Sequence, residues 1–284
     1  MIPFDWAEPE TLKEAAALLD PDDPTIRPIA GGTALMLMMK AGVFTPSRLV
    51  SLAKIEPRYS EIGIDAGGVL RIGAMVSLSQ LEQSAEAISR FPVMKRALRT
   101  LSNVRVRNVA RIGGALAHGD PHMDLPPLLA ALGARVSVMG LKATREIAVE
   151  DLYSGYYETT LEKNELIAEA IVPPLNGAKA AYMKVTSRSA DDWPALNIGV
   201  CLHTDGARTR EARIIISAAT EKVTRLRETE ELLTGAAVND ALLKQAGDVA
   251  AREVSFLSDA HGSAAYKKEL LRVYLARAIR EALS

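Results

Sequence analysis

Two pairs of adjacent glycines are the residues in this sequence most suited to binding an anionic ligand. The first pair lies in Ile29-Ala30-Gly31-Gly32-Thr33-Ala34-Leu35 and the second in Arg111-Ile112-Gly113-Gly114-Ala115. A Gly-Gly pair lets the backbone turn freely and approach a ligand, because no Cβ is in the way. Successive exposed N–H groups in such a turn form a concave anion site. Either pair alone is typical of a tight turn, but together they indicate a ligand whose diphosphate is held between them.

The elements predicted around the two pairs fit this interpretation. A strand is predicted at residues 27–30 and a helix at residues 34–40, so the first pair precedes a helix N-terminus. Such a terminus adds unpaired N–H groups and a partial positive charge. The second pair is predicted to form a turn that leads into an irregular polar loop. A helix then begins, with Asp124 as its N-cap and prolines in its first turn.

Composition narrows the possible classes of protein. The chain has 284 residues with a net charge of −1, so no general field favours nucleic acid or an anionic membrane. No apolar run has the length of a membrane span, and the N-terminal segment lacks the features of a signal peptide. The single cysteine, Cys201, has apolar neighbours typical of a buried thiol. It excludes an internal disulfide and an iron–sulfur cluster held by this chain's own thiolates. These features favour the cytoplasm.

The order of predicted elements indicates two domains. A small α/β unit ends near residue 54, and a hairpin follows at residues 59–74 with glycines in its turn. The double proline at residues 173–174, followed by Asn176-Gly177, is the best domain boundary. Beyond it, three strands followed by three helices predict an α+β layer with helices on one face of a sheet.

Five landmarks in order resemble one known family. They are the opening Phe4-Asp5-Trp6 with Pro9; Ala30-Gly31-Gly32-Thr33; residues 107–114, Arg-Asn-Val-Ala-Arg-Ile-Gly-Gly, with Asp124 and Leu128-Leu129-Ala130 after them; residues 184–193, Lys-Val-Thr-Ser-Arg-Ser-Ala-Asp-Asp-Trp; and residues 263–268, Ser-Ala-Ala-Tyr-Lys-Lys. Together they are similar to the FAD-binding (medium) subunit of the molybdenum hydroxylases. That family includes the medium subunit of aerobic carbon monoxide dehydrogenase and the flavin domain of xanthine dehydrogenase.

The resemblance implies a fold and a function. The expected fold is α+β: a two-subdomain FAD-binding domain of the vanillyl-alcohol-oxidase/PCMH type at residues 1–176, divided near residue 54, and a smaller C-terminal domain with a three-stranded sheet at residues 178–284. The chain is then an oxidoreductase subunit that passes electrons through FAD to NAD, a quinone or another acceptor. The expected partners are a molybdopterin-binding large subunit and an iron–sulfur small subunit carrying 2Fe-2S clusters. No catalytic residue and no metal ligand is expected in this chain.

The resemblance also assigns roles to individual residues. Backbone N–H groups of Gly31, Gly32, Thr33 and Ala34 are expected to bind one part of the diphosphate, and those of Ile112, Gly113, Gly114 and Ala115 the other, with Ile29, Ala30 and Leu35 flanking the first segment. Asp124 is expected on the sugar or adenine side of FAD and Lys184 close to the flavin ring. Leu101 and Leu166 are expected either to line the cofactor or to belong to the core. Arg111 and Ala115 depart from the family, which usually has Thr or Ser, and often Asn or Ser, at these positions. Arg111 is therefore expected to pair with phosphate or to point to solvent.

Three alternatives remain open from the residues. His118, Asp120, His122 and Asp124 would share a face if the chain were extended there, as in a metal-dependent hydrolase. A second alternative is a stand-alone FAD oxidoreductase. A third is a partner-binding module, suggested by the arginines at positions 208, 210, 213, 225 and 227, although interleaved glutamates make a solvated face the simpler interpretation. No Gly-x-Gly-x-x-Gly or P-loop motif occurs, so an ordinary Rossmann or P-loop site is not predicted.

Overall fold

A small parallel sheet opens the chain and carries the first glycine pair. The structure, a computed structural model, describes residues 3–284. The sheet has the order β1 (Asp5–Ala7), β3 (Arg48–Ser51), β2 (Ile26–Ile29), with the helices α1 (Leu12–Ala17) and α2 (Thr33–Lys40) between its strands. Thr11 and Glu14 form a capping box that starts α1. The strand–Gly-Gly–helix arrangement predicted from the sequence is therefore present.

A five-stranded antiparallel sheet forms the second layer. Its order is β4 (Ile62–Ile64), β5 (Leu70–Gly73), β10 (Leu166–Val172), β6 (Arg135–Met139) and β7 (Thr144–Ala148). A two-stranded ribbon, β8 (Tyr153–Gly155) and β9 (Glu158–Thr159), follows β7. The central strand β10 is apolar over most of its length because it is covered on both faces. The predicted hairpin corresponds to β4 and β5.

Six short helices connect β5 to β6 and pack on this sheet. They are α3 (Leu78–Gln83), α4 (Ala85–Arg90), α5 (Pro92–Thr100), α6 (Val104–Val109), α7 (Ile112–Ala117) and α8 (Leu125–Ala131). Phe91, Met94, Leu98 and Leu129 are fully buried in the core that they share with the sheet. The predicted glycine turn at residues 112–115 is wrong, since these residues form the start of α7.

The C-terminal part is a sheet covered by helices. Its strands are β11 (Lys179–Val185), β12 (Leu196–Asp205), β13 (Arg208–Ser217) and β14 (Thr224–Arg225), in that order, and its helices are α9 (Arg227–Leu233), α10 (Asp240–Glu253) and α11 (Ala264–Leu283). The prediction of three strands is wrong, because the two-residue strand β14 is too short to show a sequence pattern. No helix in residues 3–284 has the length and apolar character needed to cross a membrane.

The two parts of the chain share a tight interface. A Cβ built on Gly199 of β12 would lie 2.7 Å from the carbonyl oxygen of Pro127, so α8 packs directly on the second face of the C-terminal sheet. Beside it, Glu150 forms ion pairs with Arg213, Arg225 and Arg227. Three of the arginines considered for a partner-binding face are therefore engaged with the first part of the chain.

Candidate cofactor site

The first glycine pair presents a continuous run of free backbone donors. Gly32 is the N-cap of α2 with φ of 67°, in the left-handed region that glycine adopts without strain. Among residues 3–284, the N–H groups of residues 31–35 meet no acceptor, and the first N–H group bonded in the helix is that of Met36, to the carbonyl oxygen of Gly32. These residues are half-buried. Converging donors at a helix N-terminus are suited to bind a phosphate group.

The second glycine pair divides its donors differently. The N–H groups of Ile112 and Gly113 donate to the carbonyl oxygens of Val76, at 3.0 Å, and Ala74, at 2.8 Å. The Ala115 N–H donates to the carbonyl oxygen of Arg111 at 2.9 Å. Within the described residues only the N–H of Gly114 in this run is left without an acceptor. Of the donors predicted here, one is therefore available to a ligand, and the others fix α7 to the sheet.

The two glycine segments meet in space. A Cβ built on Gly31 would lie 2.2 Å from the carbonyl oxygen of Val109 and 2.9 Å from the Cα of Ala110. Only glycine allows this approach of one backbone to the other. By contrast, a Cβ on Gly114 would have no atom of the chain within 4 Å, so open space lies in front of this residue. The segment that contains the first donors therefore contacts the residues that directly precede α7.

Several predicted flanking residues surround this opening. Ala30 packs against a buried cluster that contains Leu166 and Met75, so Leu166 lies on the side of the first glycine pair. Arg111 does not point to solvent: its Nη1 donates to the carbonyl oxygen of Met75 at 3.1 Å. Ala115 is buried, and a longer side chain there would face the core. Ala115 therefore offers a ligand no side-chain hydrogen bond.

Asp124, Lys184 and Leu101 form a second cluster. Lys184 Nζ lies 3.2 Å from Asp124 Oδ2 and 2.9 Å from the carbonyl oxygen of Thr100, beside the buried Leu101. Tyr182 donates its hydroxyl to Asp124 Oδ1 at 2.8 Å. Burial raises the pKa of the Asp124 carboxyl, and the ammonium of Lys184 opposes that shift. The cluster thus gathers three predicted site residues from separate parts of the chain.

The prediction of Asp124 as a capping side chain is wrong. Its backbone is helical, with φ of −78° and ψ of −35°, and its carboxylate makes no capping hydrogen bond. The side chain turns instead towards strand β11, where Tyr182 and Lys184 lie on one face at a spacing of two residues. Tyr182 was not predicted, although its spacing from Lys184 on a strand is a signal that could have indicated it.

The residues of the metal alternative do not converge. Asp120 Oδ1 is bonded to His122 Nδ1 at 2.9 Å, while Asp124 is bonded to Tyr182 and Lys184. In residues 3–284 no group of three or more His, Cys, Asp or Glu side chains is arranged to hold a metal ion. The extended geometry that this alternative needed is replaced by a turn at Gly119, which has φ of 76°.

His122 instead joins the two parts of the chain. Its Nε2 lies 2.9 Å from Asp259 Oδ2, and the fully buried Lys267 lies 2.5 Å from the same oxygen. Burial lowers the pKa of the imidazole, but the hydrogen bonds to Asp120 and Asp259 outweigh it and raise the pKa above 6.5. For Asp259, burial is outweighed by bonds from Lys267 and His122, which lower its pKa to about 2. Asp259 lies far along the sequence from His122, which is why no pattern indicated the pair.

The fold and the donor arrangement together define a dinucleotide-binding flavoprotein. A family model for the FAD binding domain in molybdopterin dehydrogenase matches residues 2–175, and one for the CO dehydrogenase flavoprotein C-terminal domain matches residues 181–282. The chain therefore belongs to the FAD-binding subunits of the molybdopterin dehydrogenases, the oxidoreductase family that the sequence motifs resemble, and its cofactor is FAD.

Individual relatives cover the whole chain. It is 31% identical to the nicotine 6-hydroxylase medium subunit of Paenarthrobacter nicotinovorans, over 98% of this chain and 96% of the relative. It is also 31% identical to the carbon monoxide dehydrogenase medium chain of Afipia carboxidovorans, over 99% and 98%. A solved structure of carbon monoxide dehydrogenase from Hydrogenophaga pseudoflava superimposes with a TM-score of 0.94 at 30% identity, over 100% of this chain and 99% of that one. The first two relatives are named as a medium subunit and a medium chain, that is, as components of larger enzymes.

Proposed function

We propose that this chain is the electron-transferring FAD subunit of a hetero-oligomeric molybdenum hydroxylase. Its partners are a large subunit that binds molybdopterin and oxidises the substrate, and a small subunit whose iron–sulfur centres deliver the electrons. An external acceptor then takes the electrons from this chain. The full-length similarity to medium subunits supports the proposal, as does the single cysteine, because an iron–sulfur cluster needs about four thiolates. A cytoplasmic location is part of this proposal.

The observation that carries the cofactor site is the run of free N–H groups at residues 31–35, together with the free N–H of Gly114. Such donors stay unpaired in a folded protein only where water or a ligand satisfies them. Gly114 faces open space, and Gly31 allows its segment to contact the backbone at Val109, shortly before α7. The residues present therefore fit the diphosphate of FAD, and we assign the remaining site residues of the sequence analysis to the walls of the same site.

The residues of the chain bind and orient the cofactor. FAD, when bound, supplies the exchange between one-electron and two-electron redox chemistry. The two glycine segments hold its diphosphate, and Arg111, which donates to the carbonyl oxygen of Met75, lies at the start of α7. Leu101 and Leu166 are buried in two separate core clusters, and we assign them to the wall of the site. Asp124 pairs with the ammonium of Lys184, which also donates to the carbonyl oxygen of Thr100, next to Leu101. These contacts fix the position of the cation in the wall of the site.

The first test is the visible absorption spectrum of the purified chain, followed by identification of the cofactor that denaturation releases. We expect a two-band flavin spectrum and release of one FAD for each chain. A folded but colourless protein that also takes up no added FAD would contradict the proposal. Affinity purification from the native host should then recover a molybdenum-containing subunit and an iron–sulfur subunit.

The same purification separates the proposal from its alternative, a stand-alone FAD oxidoreductase. A chain that carries FAD, migrates alone and reduces an acceptor without partners would favour the alternative. We also propose the domain division at residues 176–178. It is supported by the turn after Pro173-Pro174, where Asn176 and Gly177 both have positive φ, of 47° and 85°.

A further inference from the structure

The turn between α5 and α6 is held by two cations. Ser102 has φ of 53°, in the left-handed region that is uncommon for a residue with a side chain. Lys184 Nζ donates to the carbonyl oxygen of Thr100 at 2.9 Å. Arg107 Nη1 donates to the carbonyl oxygens of Leu101, at 3.3 Å, and Ser102, at 2.5 Å. Three successive carbonyl groups at the C-terminus of α5 are therefore neutralised by these two side chains.

Arg107 is itself tied to the core. Its Nε lies 3.0 Å from Glu82 Oε2 on α3, and the two side chains are only 12% and 19% exposed. Helix α6, which carries Arg107, contains no fully buried residue. Val106 is the residue of α6 that packs partly against the core, so the place of α6 relative to α3 and α5 also depends on this ion pair and on the two carbonyl bonds.

Both ends of the segment that Arg107 holds reach the cofactor site. At one end lies Leu101, next to the carbonyl group that Lys184 binds. At the other end lie Val109 and Ala110, against which the backbone of Gly31 packs. A displacement of the segment would therefore move a wall of the site and separate the two glycine segments at once.

We propose that Arg107 is a positioning residue for the FAD site. It contacts no predicted cofactor donor itself; it fixes the left-handed turn and helix α6, and thereby sets the positions of Leu101 and of the contact between Val109 and Gly31. This inference rests on the proposed function, since it concerns the same site. Without the guanidinium group of Arg107, whose Nε and Nη1 donate these hydrogen bonds, the turn relaxes. FAD then binds more weakly, and the surroundings of its flavin change.

The test compares Arg107→Met with Arg105→Met in the full chain. Arg105 lies on the same helix, is exposed, and forms no ion pair within residues 3–284, so it is a matched control. We measure the Kd for FAD by titration of the cofactor-free chain, together with the visible circular dichroism of bound flavin. For Arg107→Met we expect the Kd to rise about tenfold or more, because the arrangement of the turn and α6 that binds FAD would then be populated to only about a tenth or less. We also expect an altered visible dichroism, whereas Arg105→Met behaves as the wild type.

Two further variants keep the test decisive if Arg107→Met does not fold. Arg107→Lys retains the positive charge but not the separate guanidinium N–H donors. Glu82→Gln removes the charge from the ion pair with Arg107 but keeps an acceptor oxygen. We expect both to raise the Kd and change the visible dichroism by smaller amounts. Folded variants with lower melting temperatures but wild-type Kd and dichroism would overturn the inference and leave Arg107 with a structural role only. If the wild-type chain itself takes up no FAD, the proposed function fails instead.

Discussion

The substitution Gly114→Ala should stabilise the cofactor-free protein and weaken FAD binding. Gly114 lies inside helix α7, its φ is not positive, and a Cβ there would have no atom of the chain within 4 Å. Replacing glycine by alanine at a compatible helical position contributes about 0.5–1 kcal/mol to the free energy of unfolding. For a chain of this size we expect the melting temperature to rise by about 1–4 °C.

The effect on the cofactor has the opposite sign. The methyl group would project into the open space beside Gly114, where we propose that the diphosphate lies, and would hinder the approach of a phosphate oxygen to the free N–H. Loss of a hydrogen bond to a charged group costs about 1.5–3 kcal/mol. The Kd for FAD should therefore rise about 10-fold to 100-fold.

The two effects are measured on one preparation, by thermal unfolding of the stripped protein and by titration with FAD. Gly113→Ala is the control, because a Cβ there would lie 2.7 Å from the Cβ of Ala74. That variant should lose stability before any cofactor is added. A Gly114→Ala protein that binds FAD as tightly as the wild type would refute the placement of the diphosphate in front of α7.

Three further substitutions follow from the structure. Gly31→Ala places a Cβ 2.2 Å from the carbonyl oxygen of Val109, so the two segments must separate. The free energy of unfolding, measured by denaturant titration, should fall by about 1–3 kcal/mol. FAD retention, measured by the absorbance spectrum, should fall as well. Lys184→Met leaves Asp124 buried without its cation and should lower the free energy of unfolding in urea by about 3–5 kcal/mol at neutral pH. The decrease should be smaller at acidic pH, because the raised pKa of Asp124 lets its carboxyl protonate. An equal decrease at both pH values would contradict this explanation. The pKa of His122 is raised above 6.5 in the folded state, so its contribution to stability is complete below pH 6.5 and is lost as the pH rises through the folded-state pKa. The melting temperature should therefore decrease over this pH range, and His122→Gln should remove the decrease. An unchanged decrease in the variant would assign it to other groups.

Local sequence signals predicted most of the elements that frame the site. The strand before Gly31 and the helix after it are both present, because each depends on residues a few positions apart. The α5–α6 connection was harder: α6 buries no residue fully, so it has no apolar periodicity to detect. The contacts between distant residues, such as His122 with Asp259, leave no local pattern at all.

The second glycine pair shows where propensity alone misled. Two glycines disfavour a helix, and a turn was the natural prediction. The carbonyl oxygens of Ala74 and Val76 accept the first N–H groups of α7, however, and a Cβ at Gly113 would lie within 2.7 Å of Ala74. The tertiary contact thus overrides the propensity, because the helix can approach the sheet closely only if this position has no side chain.

The two glycines of each pair have different surroundings. The first glycine of each pair is needed by the fold: Gly31 lets two backbones touch at Val109, and Gly113 lets α7 approach Ala74 closely. The second is the one we propose to serve the ligand: Gly32 has the left-handed conformation at the N-terminus of α2, and Gly114 faces open space. Substitutions at the first glycine of each pair should lower stability with or without FAD, whereas Gly114→Ala should stabilise the cofactor-free protein and lower its affinity for FAD. This difference makes the cofactor site separable from the fold that carries it.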